Sequence, residues 1–163
     1  MKLLSIADNH DAGAAIFING VLKAAVNQER IDRIKNSGNF PWGAIDAALD
    51  RAGCSAKEIE HIVIATSYTP CALLRMFPKA HLEQKNKSQF SRALHSYLLY
   101  QSALKRAGME HLEYKACHLL LKRKLARLSS APITLMDHHR SHAEGAYRTQ
   151  PRQRMLVLTL DAM

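Results

Sequence analysis

The segment running from Asp137 to Ala143 carries the clearest candidate chemistry in the chain. His138 and His142 are four residues apart, so on a helix their imidazoles lie on one face about one turn apart. Two metal ligands on a helix have this arrangement. His139 lies off that face and is free to meet a substrate. An ordinary helix N-terminus capped by Asp137 explains the same residues, and the spacing leaves both interpretations open.

Asp161 is the second candidate, because it directly follows a strand-like apolar run over 155–160. A carboxylate at the carboxyl end of a buried strand commonly faces a ligand or a metal. Together with His138 and His142 it would complete a set of two histidines and one carboxylate, which suits Fe(II) or another divalent metal. The alternative is an ordinary turn residue.

Two further segments carry polar groups in suggestive positions. The loop from Asp8 to Gly13 is rich in small residues, so its backbone N–H groups could reach a phosphate. His10 in this loop could carry a proton. The alternative is a solvated hairpin loop. The mixed charges of residues 28–35 are typical of a solvated, salt-bridged strand edge.

Hydropathy patterning predicts the elements that position these residues. Asn19-Gly20 is a strong hairpin signal, and the apolar run over 61–66 is typical of a buried parallel strand. The pattern predicts strands over 3–8, 13–19, 21–28, 61–66, 132–136 and 155–160, and helices over 41–51, 91–107, 111–128 and 138–147. Residues 70–90 are expected to form a loop or short helices.

This order predicts an α/β fold in which three antiparallel strands precede helix-linked parallel strands. It is the order of the ribonuclease-H-like half found in the actin, sugar-kinase and Hsp70 group of folds. We expect residues 1–154 to form the first such half. Residues 155–163 would then be the opening strand of a truncated second half.

Composition places the chain among ordinary globular proteins. Its 163 residues, with 23 Lys+Arg against 14 Asp+Glu, give one domain of charge +9. The N-terminus lacks the pattern of a signal peptide, and we expect no membrane association. The three cysteines form no CxxC pair, which favours reduced thiols in the cytoplasm. Lys122, Arg123, Lys124 and Arg127 are interpreted as a solvated basic face without interleaved aromatics, so a nucleic-acid partner is not expected.

These segments together resemble the carbamoyltransferase family that includes nodulation carbamoyltransferases and antibiotic O-carbamoyltransferases. The matching residues are His10-Asp11, Ala14-Ala15, Gly20, Glu29-Arg30, Arg33, Lys35, Phe40-Pro41, His138-His139-Arg140-Ser141-His142-Ala143 and Leu158-Thr159-Leu160-Asp161. The sequence departs from the family pattern at Gln28, Asn36, Gly13 and Ala162, where Glu, His, Ser and Gly are usual.

The resemblance implies roles for individual residues. His138 and His142 look like iron ligands, and Asp161 looks like a ligand of the metal or nucleotide. His10 and His139 look like catalytic groups, with His10 near the carbamoyl group. The groups expected to contact the anionic cofactor are Asp11, Arg33 and Lys35.

The implied activity is transfer of a carbamoyl group from carbamoyl phosphate, through carbamoyl-adenylate made with ATP, to a hydroxyl of a small molecule or sugar. The family's C-terminal adenylate-forming domain would be missing, so we expect the 163-residue chain alone to be inactive. One alternative is a relative that threonylcarbamoylates tRNA, which the Arg140-Ser141 pair between the histidines disfavours. Another is a non-catalytic basic binding module or remnant.

Overall fold

A computed structural model describes residues 1–8, 11–38, 40–65, 72–76, 99–100, 103–104, 106–148 and 156–159. Within them a mixed five-stranded sheet combines with helices, which confirms the predicted α/β class. The assignment to the ribonuclease-H-like group, and the division between residues 154 and 155, stay predictions.

The sheet has the strand order β3-β2-β1-β4-β5. Its strands are β1 (Lys2–Ala7), β2 (Gly13–Ile18), β3 (Val21–Asn27), β4 (His61–Ile64) and β5 (Ile133–Leu135). The first three strands pair antiparallel, while β4 pairs parallel with both β1 and β5, as predicted. The carboxyl ends of β1, β4 and β5 therefore share one edge of the sheet. In open α/β sheets this is the edge where ligands bind.

The turn between β2 and β3 is the hairpin that the sequence predicts. Asn19 and Gly20 both have positive φ, at 52° and 79°, as a two-residue type I′ turn requires. The Asn19 amide donates to the Met1 carbonyl at 2.9 Å, and the N-terminal ammonium donates to Asn19 Oδ1 at 2.7 Å. The turn thus also fixes the start of β1.

The described helices are α1 (Glu29–Asp32), α2 (Trp42–Arg51), α3 (Ala72–Met76), α4 (Glu110–Leu125) and α5 (His138–Arg148), with a 3₁₀ turn at Ala56–Glu58. Helix α2 ends as predicted at Gly53, whose φ is 60°, and the Cys54 amide donates to the Leu49 carbonyl at 3.0 Å. This is the closing bond of a Schellman motif. None of the described helices has the apolar length that crossing a bilayer needs.

The core lies between one face of the sheet and helices α2 and α4. Alternate residues of β1 and β4 are fully buried, since successive strand side chains point to opposite faces. The largest buried apolar side chains of this layer are Leu4, Ile6, Ile16, Ile45, Ile62, Ile64, Leu121 and Leu125. This layer holds the strand ends in place at the carboxyl edge of the sheet.

Three predicted elements differ from the structure. Residues 28–35, interpreted as a strand edge, begin with the short helix α1. Helix α4 ends at Leu125, and 126–128 form a turn. Residues 156–159 form no strand, and Leu156 and Leu158 are 84% and 75% exposed. A strand needs a hydrogen-bonded neighbour, and the described strands pair none with this segment. Most of the predicted helix 91–107 lies outside the described residues.

Candidate functional site

Helix α5 begins three residues after the end of β5 and carries the histidine motif to the carboxyl edge of the sheet. Asp137 Oδ1 accepts a hydrogen bond from the Arg140 amide at 2.9 Å, and the Ser141 hydroxyl donates to the Asp137 carbonyl at 2.9 Å. Asp137 therefore caps the helix, as one interpretation of the sequence proposed. The cap does not compete with a metal site, because it fixes the helix start that puts His138 and His142 on one face.

The two histidines of this face converge. Nε2 of His138 and Nε2 of His142 are 3.2 Å apart, with ring centroids at 4.5 Å and planes at 88°. Two imidazole nitrogens that share a metal at about 2.0–2.1 Å are separated by about 2.9–3.4 Å. The pair therefore has the spacing of two neighbouring ligands of one ion. We call His138 and His142 the histidine pair.

The other two residues predicted for this site, His139 and Asp161, are not part of the histidine pair. His139 is exposed and lies outside the histidine pair, with its ring centroid 5.7 Å from that of His138. Asp161, the expected carboxylate ligand, lies outside the described residues. Within the described part of the chain, no group of three His, Cys, Asp or Glu side chains forms a metal cluster. The structure therefore brings together two of the three predicted ligands.

The loop between β1 and β2 reaches the same edge of the sheet. His10 lies outside the described residues, and Asp11 is exposed with φ of 60°. Both backbone polar groups of Ala12 are hydrogen-bonded. Its amide donates to the Ser37 carbonyl at 3.0 Å, and its carbonyl accepts from the Gln28 amide at 2.7 Å. These bonds tie the loop to the segment that carries Arg33 and Lys35.

That segment is a tight turn built around Asp32. The Asp32 carboxylate accepts from the Ile34 amide at 3.0 Å and from the Ser37 hydroxyl at 2.6 Å. Arg33 has φ of 61°, a conformation sparsely used by residues other than glycine. Arg33 and Lys35 are exposed. The structure thus puts two predicted anion-contacting cations on a turn that adjoins the Asp11 loop.

The two parts of the candidate site lie apart along the edge. Strand β4 separates β1 from β5, so the ends of β1 and β5 are two strand spacings, about 10 Å, from each other.

A buried polar cluster below the Asp11 loop has no counterpart in the sequence-based predictions. Asp8 at the end of β1 forms an ion pair with Arg75 of α3, and the two side chains are 3% and 5% exposed. Glu113 of α4 accepts from the Ala72 amide at 2.6 Å and from the Tyr100 hydroxyl at 2.7 Å. Asp8, Arg75 and Glu113 therefore connect α4 and α3 to the end of the central strand.

Cys117 belongs to this cluster as a neutral donor. Its Sγ lies 3.6 Å from Glu113 Oε1. Burial raises the pKa of the Cys117 thiol to about 12, so it stays protonated at neutral pH. Cys54 is also buried, and burial raises the pKa of its thiol too. Both are free thiols, and Cys71 lies outside the described residues.

The sequence signature of the carbamoyltransferase N-terminus matches residues 2–163. The chain belongs to this family. An uncharacterized protein of Synechocystis, sll1178, is 31% identical over 160 residues, covering 94% of the chain and 24% of that protein. Nodulation protein NolNO of Sinorhizobium fredii is 27% identical over 154 residues, covering 93% of the chain and 19% of that protein. The chain thus spans about a quarter or less of the length of these relatives.

Membership of the carbamoyltransferase N-terminus family confirms the resemblance drawn from the motifs.

The buried cluster was not predicted because Arg75 lies in the segment 70–90, where the apolar pattern is broken. A signal for Glu113 exists in the sequence. Residues 113, 117, 121 and 125 repeat at four-residue spacing along one helix face, and the last three are apolar. A carboxylate on such a face is a buried polar group that needs partners.

The basic cluster at the C-terminal end of α4 contacts two aromatic rings. Lys124 Nζ lies 4.2 Å from the centroid of the Phe40 ring, and the Arg127 guanidinium lies 3.8 Å from that of Trp42. Burial lowers the pKa of the Lys124 ammonium. Lys124 and Arg127 therefore make cation–π contacts with Phe40 and Trp42, which the sequence did not predict. Lys122, Arg123 and Arg127 are exposed, as predicted, and Lys124 is half-buried.

Proposed function

We propose that the chain is the N-terminal part of an O-carbamoyltransferase. This enzyme would transfer a carbamoyl group from carbamoyl phosphate, by way of carbamoyl-adenylate, to a hydroxyl of a small molecule or sugar. Family membership supports the reaction class. The observation that carries the proposal is the histidine pair, whose Nε2 atoms are 3.2 Å apart at the carboxyl edge of the sheet.

The metal of this proposal is Fe(II) or a similar divalent ion. His138 and His142 would hold it, and Asp161 would add a carboxylate. When bound, such an ion supplies Lewis-acid polarisation of a carbonyl or phosphoryl oxygen. The spacing and residue types of the histidine pair fit this ion, since imidazole nitrogens are common ligands of iron and zinc.

The roles of the remaining residues follow from the family resemblance. His139 is exposed beside the pair, where it would meet the substrate. Arg33 and Lys35 would contact phosphate oxygens, with Asp11 at the adjoining loop. His10 would accept the proton of the acceptor hydroxyl, which is general-base catalysis.

The proposal also assigns partners to the chain. ATP and carbamoyl phosphate are the co-substrates, and a C-terminal adenylate-forming domain would supply the activated carbamoyl group. The acceptor is a small hydroxyl compound, and the reaction takes place in the cytoplasm.

Titration of the chain with Co(II) tests the metal site directly, because a bound Co(II) ion has visible absorption bands. We expect saturable binding that weakens about tenfold or more in His138→Ala and in His142→Ala. His139→Ala and His111→Ala, which remove exposed histidines outside the pair, should bind as the unsubstituted chain does. Equal affinity in all five proteins contradicts the site.

A chimera tests the reaction. Residues 2–163 replace the matching region of an active O-carbamoyltransferase, and labelled carbamoyl phosphate, ATP and hydroxyl acceptors are supplied. We expect labelled product from the chimera, none from the chain alone, and loss of product in the chimera with His139→Ala. Product from the chain alone would contradict the proposed dependence on a second domain.

The same assay separates the alternative functions. Label transferred to tRNA, rather than to a small hydroxyl compound, would favour the threonylcarbamoylation-type relative. A chimera that folds and binds Co(II), yet labels no acceptor, would favour a non-catalytic binding module.

A further inference from the structure

The Asp11 loop is fixed at both of its ends. At one end, Asp8 is buried and paired with Arg75. At the other, Ala12 is 1% exposed and hydrogen-bonded to Ser37 and Gln28. The described residue between these ends, Asp11, is exposed with φ of 60°. Asp8 and Ala12 are therefore both held by groups that lie outside the loop.

Arg75 reaches Asp8 only if α3 is held in place. This helix spans five residues, Ala72–Met76, too few for stability on its own. Its first amide, on Ala72, donates to Glu113 Oε1 at 2.6 Å. Glu113 is 6% exposed and anchored on the sixteen-residue helix α4. The long helix thus holds the short one through this carboxylate, together with the packing of Ala72 in the apolar core.

The donors around Glu113 explain how a carboxylate is kept in the core. The Ala72 amide and Cys117 Sγ face Oε1, and the Tyr100 hydroxyl donates to Oε2. With its pKa raised to about 12, Cys117 remains a thiol and donates rather than repels. A buried carboxylate with three donors is oriented by all of them.

We propose that Arg75 and Glu113 are positioning residues for the Asp11 loop, acting in series through α3 and Asp8. Glu113 fixes the start of α3, Arg75 fixes Asp8, and Asp8 sets where the loop leaves β1. Neither residue needs to touch substrate. The inference rests on the proposed function only in taking this loop as part of the substrate site.

Amide hydrogen exchange, measured by NMR on the full 163-residue chain, tests the proposal. The Ala12 amide, bonded to Ser37, reports on the loop, and the Cys54 amide, bonded to Leu49, reports on the distant end of α2. In Arg75→Met and in Glu113→Leu we expect Ala12 to exchange about tenfold faster or more, with a smaller change at Cys54. Glu113→Gln, which keeps an acceptor for Ala72, should restore most of the protection.

Arg148→Met is the matched control. It makes the same substitution in the exposed ion pair with Glu144, where the Arg148 and Glu144 side chains are 76% and 37% exposed. It should leave Ala12 unchanged. If Arg75→Met does not fold, the Glu113→Leu and Glu113→Gln pair gives the same comparison.

Two outcomes overturn the proposal. Unchanged exchange at Ala12 would show that the loop does not depend on the cluster. Equal acceleration at Ala12 and Cys54 would show that the cluster stabilises the fold as a whole and positions nothing. No metal, nucleotide or turnover enters the measurement, so its failure is distinct from failure of the proposed function.

Discussion

At the carboxyl end of β1, Asp8 is buried and its partner Arg75 comes from a helix 67 residues away along the chain. At the carboxyl end of β5, the histidine pair comes from neighbouring turns of one helix, and His142 is exposed. Both regions lie on one edge of the sheet. The first depends on tertiary packing, whereas the second depends on the geometry of a single capped helix.

This difference determines how each region responds to change. A buried ion pair leaves an uncompensated charge in the core when one partner is removed. When an exposed histidine loses its neighbour, water solvates it, and the free energy of unfolding changes little. The Asp8–Arg75 region should therefore control stability and loop shape, while the histidine pair should control affinity for a ligand.

The largest effect is expected from the buried ion pair. Arg75→Met removes the ion-pair partner of the buried Asp8 carboxylate, and we expect a loss of about 3–5 kcal/mol in the free energy of unfolding. Adding Asp8→Asn to it should cost less than the sum of the two single changes, because the double variant also removes the buried carboxylate charge. Urea denaturation of the four proteins gives this coupling.

The exposed pair of Arg148 with Glu144 calibrates the comparison. Arg148→Met should change the free energy of unfolding by about 0.5 kcal/mol or less. Additive effects of Arg75→Met and Asp8→Asn would contradict the distinction between the two regions.

A smaller effect is expected from metal at the histidine pair. A divalent ion that binds only the folded chain should raise the free energy of unfolding by about 2.7 kcal/mol at one hundred times its dissociation constant. His142→Ala should abolish most of this gain, yet change metal-free stability by about 0.5 kcal/mol or less. Thermal denaturation with and without Co(II) measures both quantities.

A large loss of metal-free stability in His142→Ala would show that the histidine pair is a structural hydrogen bond. The region would then resemble the buried cluster, and its assignment as a ligand site would be wrong.

How much of each region the sequence predicts follows from the same difference. The histidine pair was predictable because both histidines and the cap at Asp137 lie within six residues, and helical spacing alone brings them together. The hairpin at Asn19-Gly20 was predictable for the same local reason. Arg75 and Asp8 meet only through packing of α3 against α4, which no local pattern encodes. The strand predicted over 155–160 is not formed at 156–159. An apolar run indicates burial but does not determine which strand it pairs with.

An intermediate case is Lys124, half-buried over the Phe40 ring. Burial lowers its pKa below the ordinary 10.5, so the unfolded chain binds the proton more tightly. Between the lowered pKa and 10.5, this group makes stability rise with pH. Lys124→Met removes the rise and one cation–π contact worth about 0.5–1 kcal/mol.

Urea denaturation between pH 7 and pH 10 measures the slope, with Lys122→Met as the control at an exposed position of the same helix. Identical slopes in the two variants would contradict burial as the cause.

The smallest effect is expected at the opposite edge of the sheet, where an exposed ion cluster joins the start of β1 to the 3₁₀ turn. The Lys2 ammonium donates to Glu58, whose Oε2 also accepts from the Ser55 amide at 2.8 Å. The hydrogen bond from Lys2 is the main cause that holds the pKa of Glu58 below its ordinary 4.5.

A carboxyl group whose pKa is lowered in the folded state stabilises the fold above pH 4.5. This stabilisation is lost as the pH falls through the pKa of the folded state. Glu58→Gln should therefore reduce the slope of the acid limb of the stability profile only slightly and leave Ala12 exchange unchanged. Because solvent screens these exposed charges, an acid limb dominated by Glu58 would mean that exposed pairs in this chain act like the buried one, and the contrast between the two regions would fail.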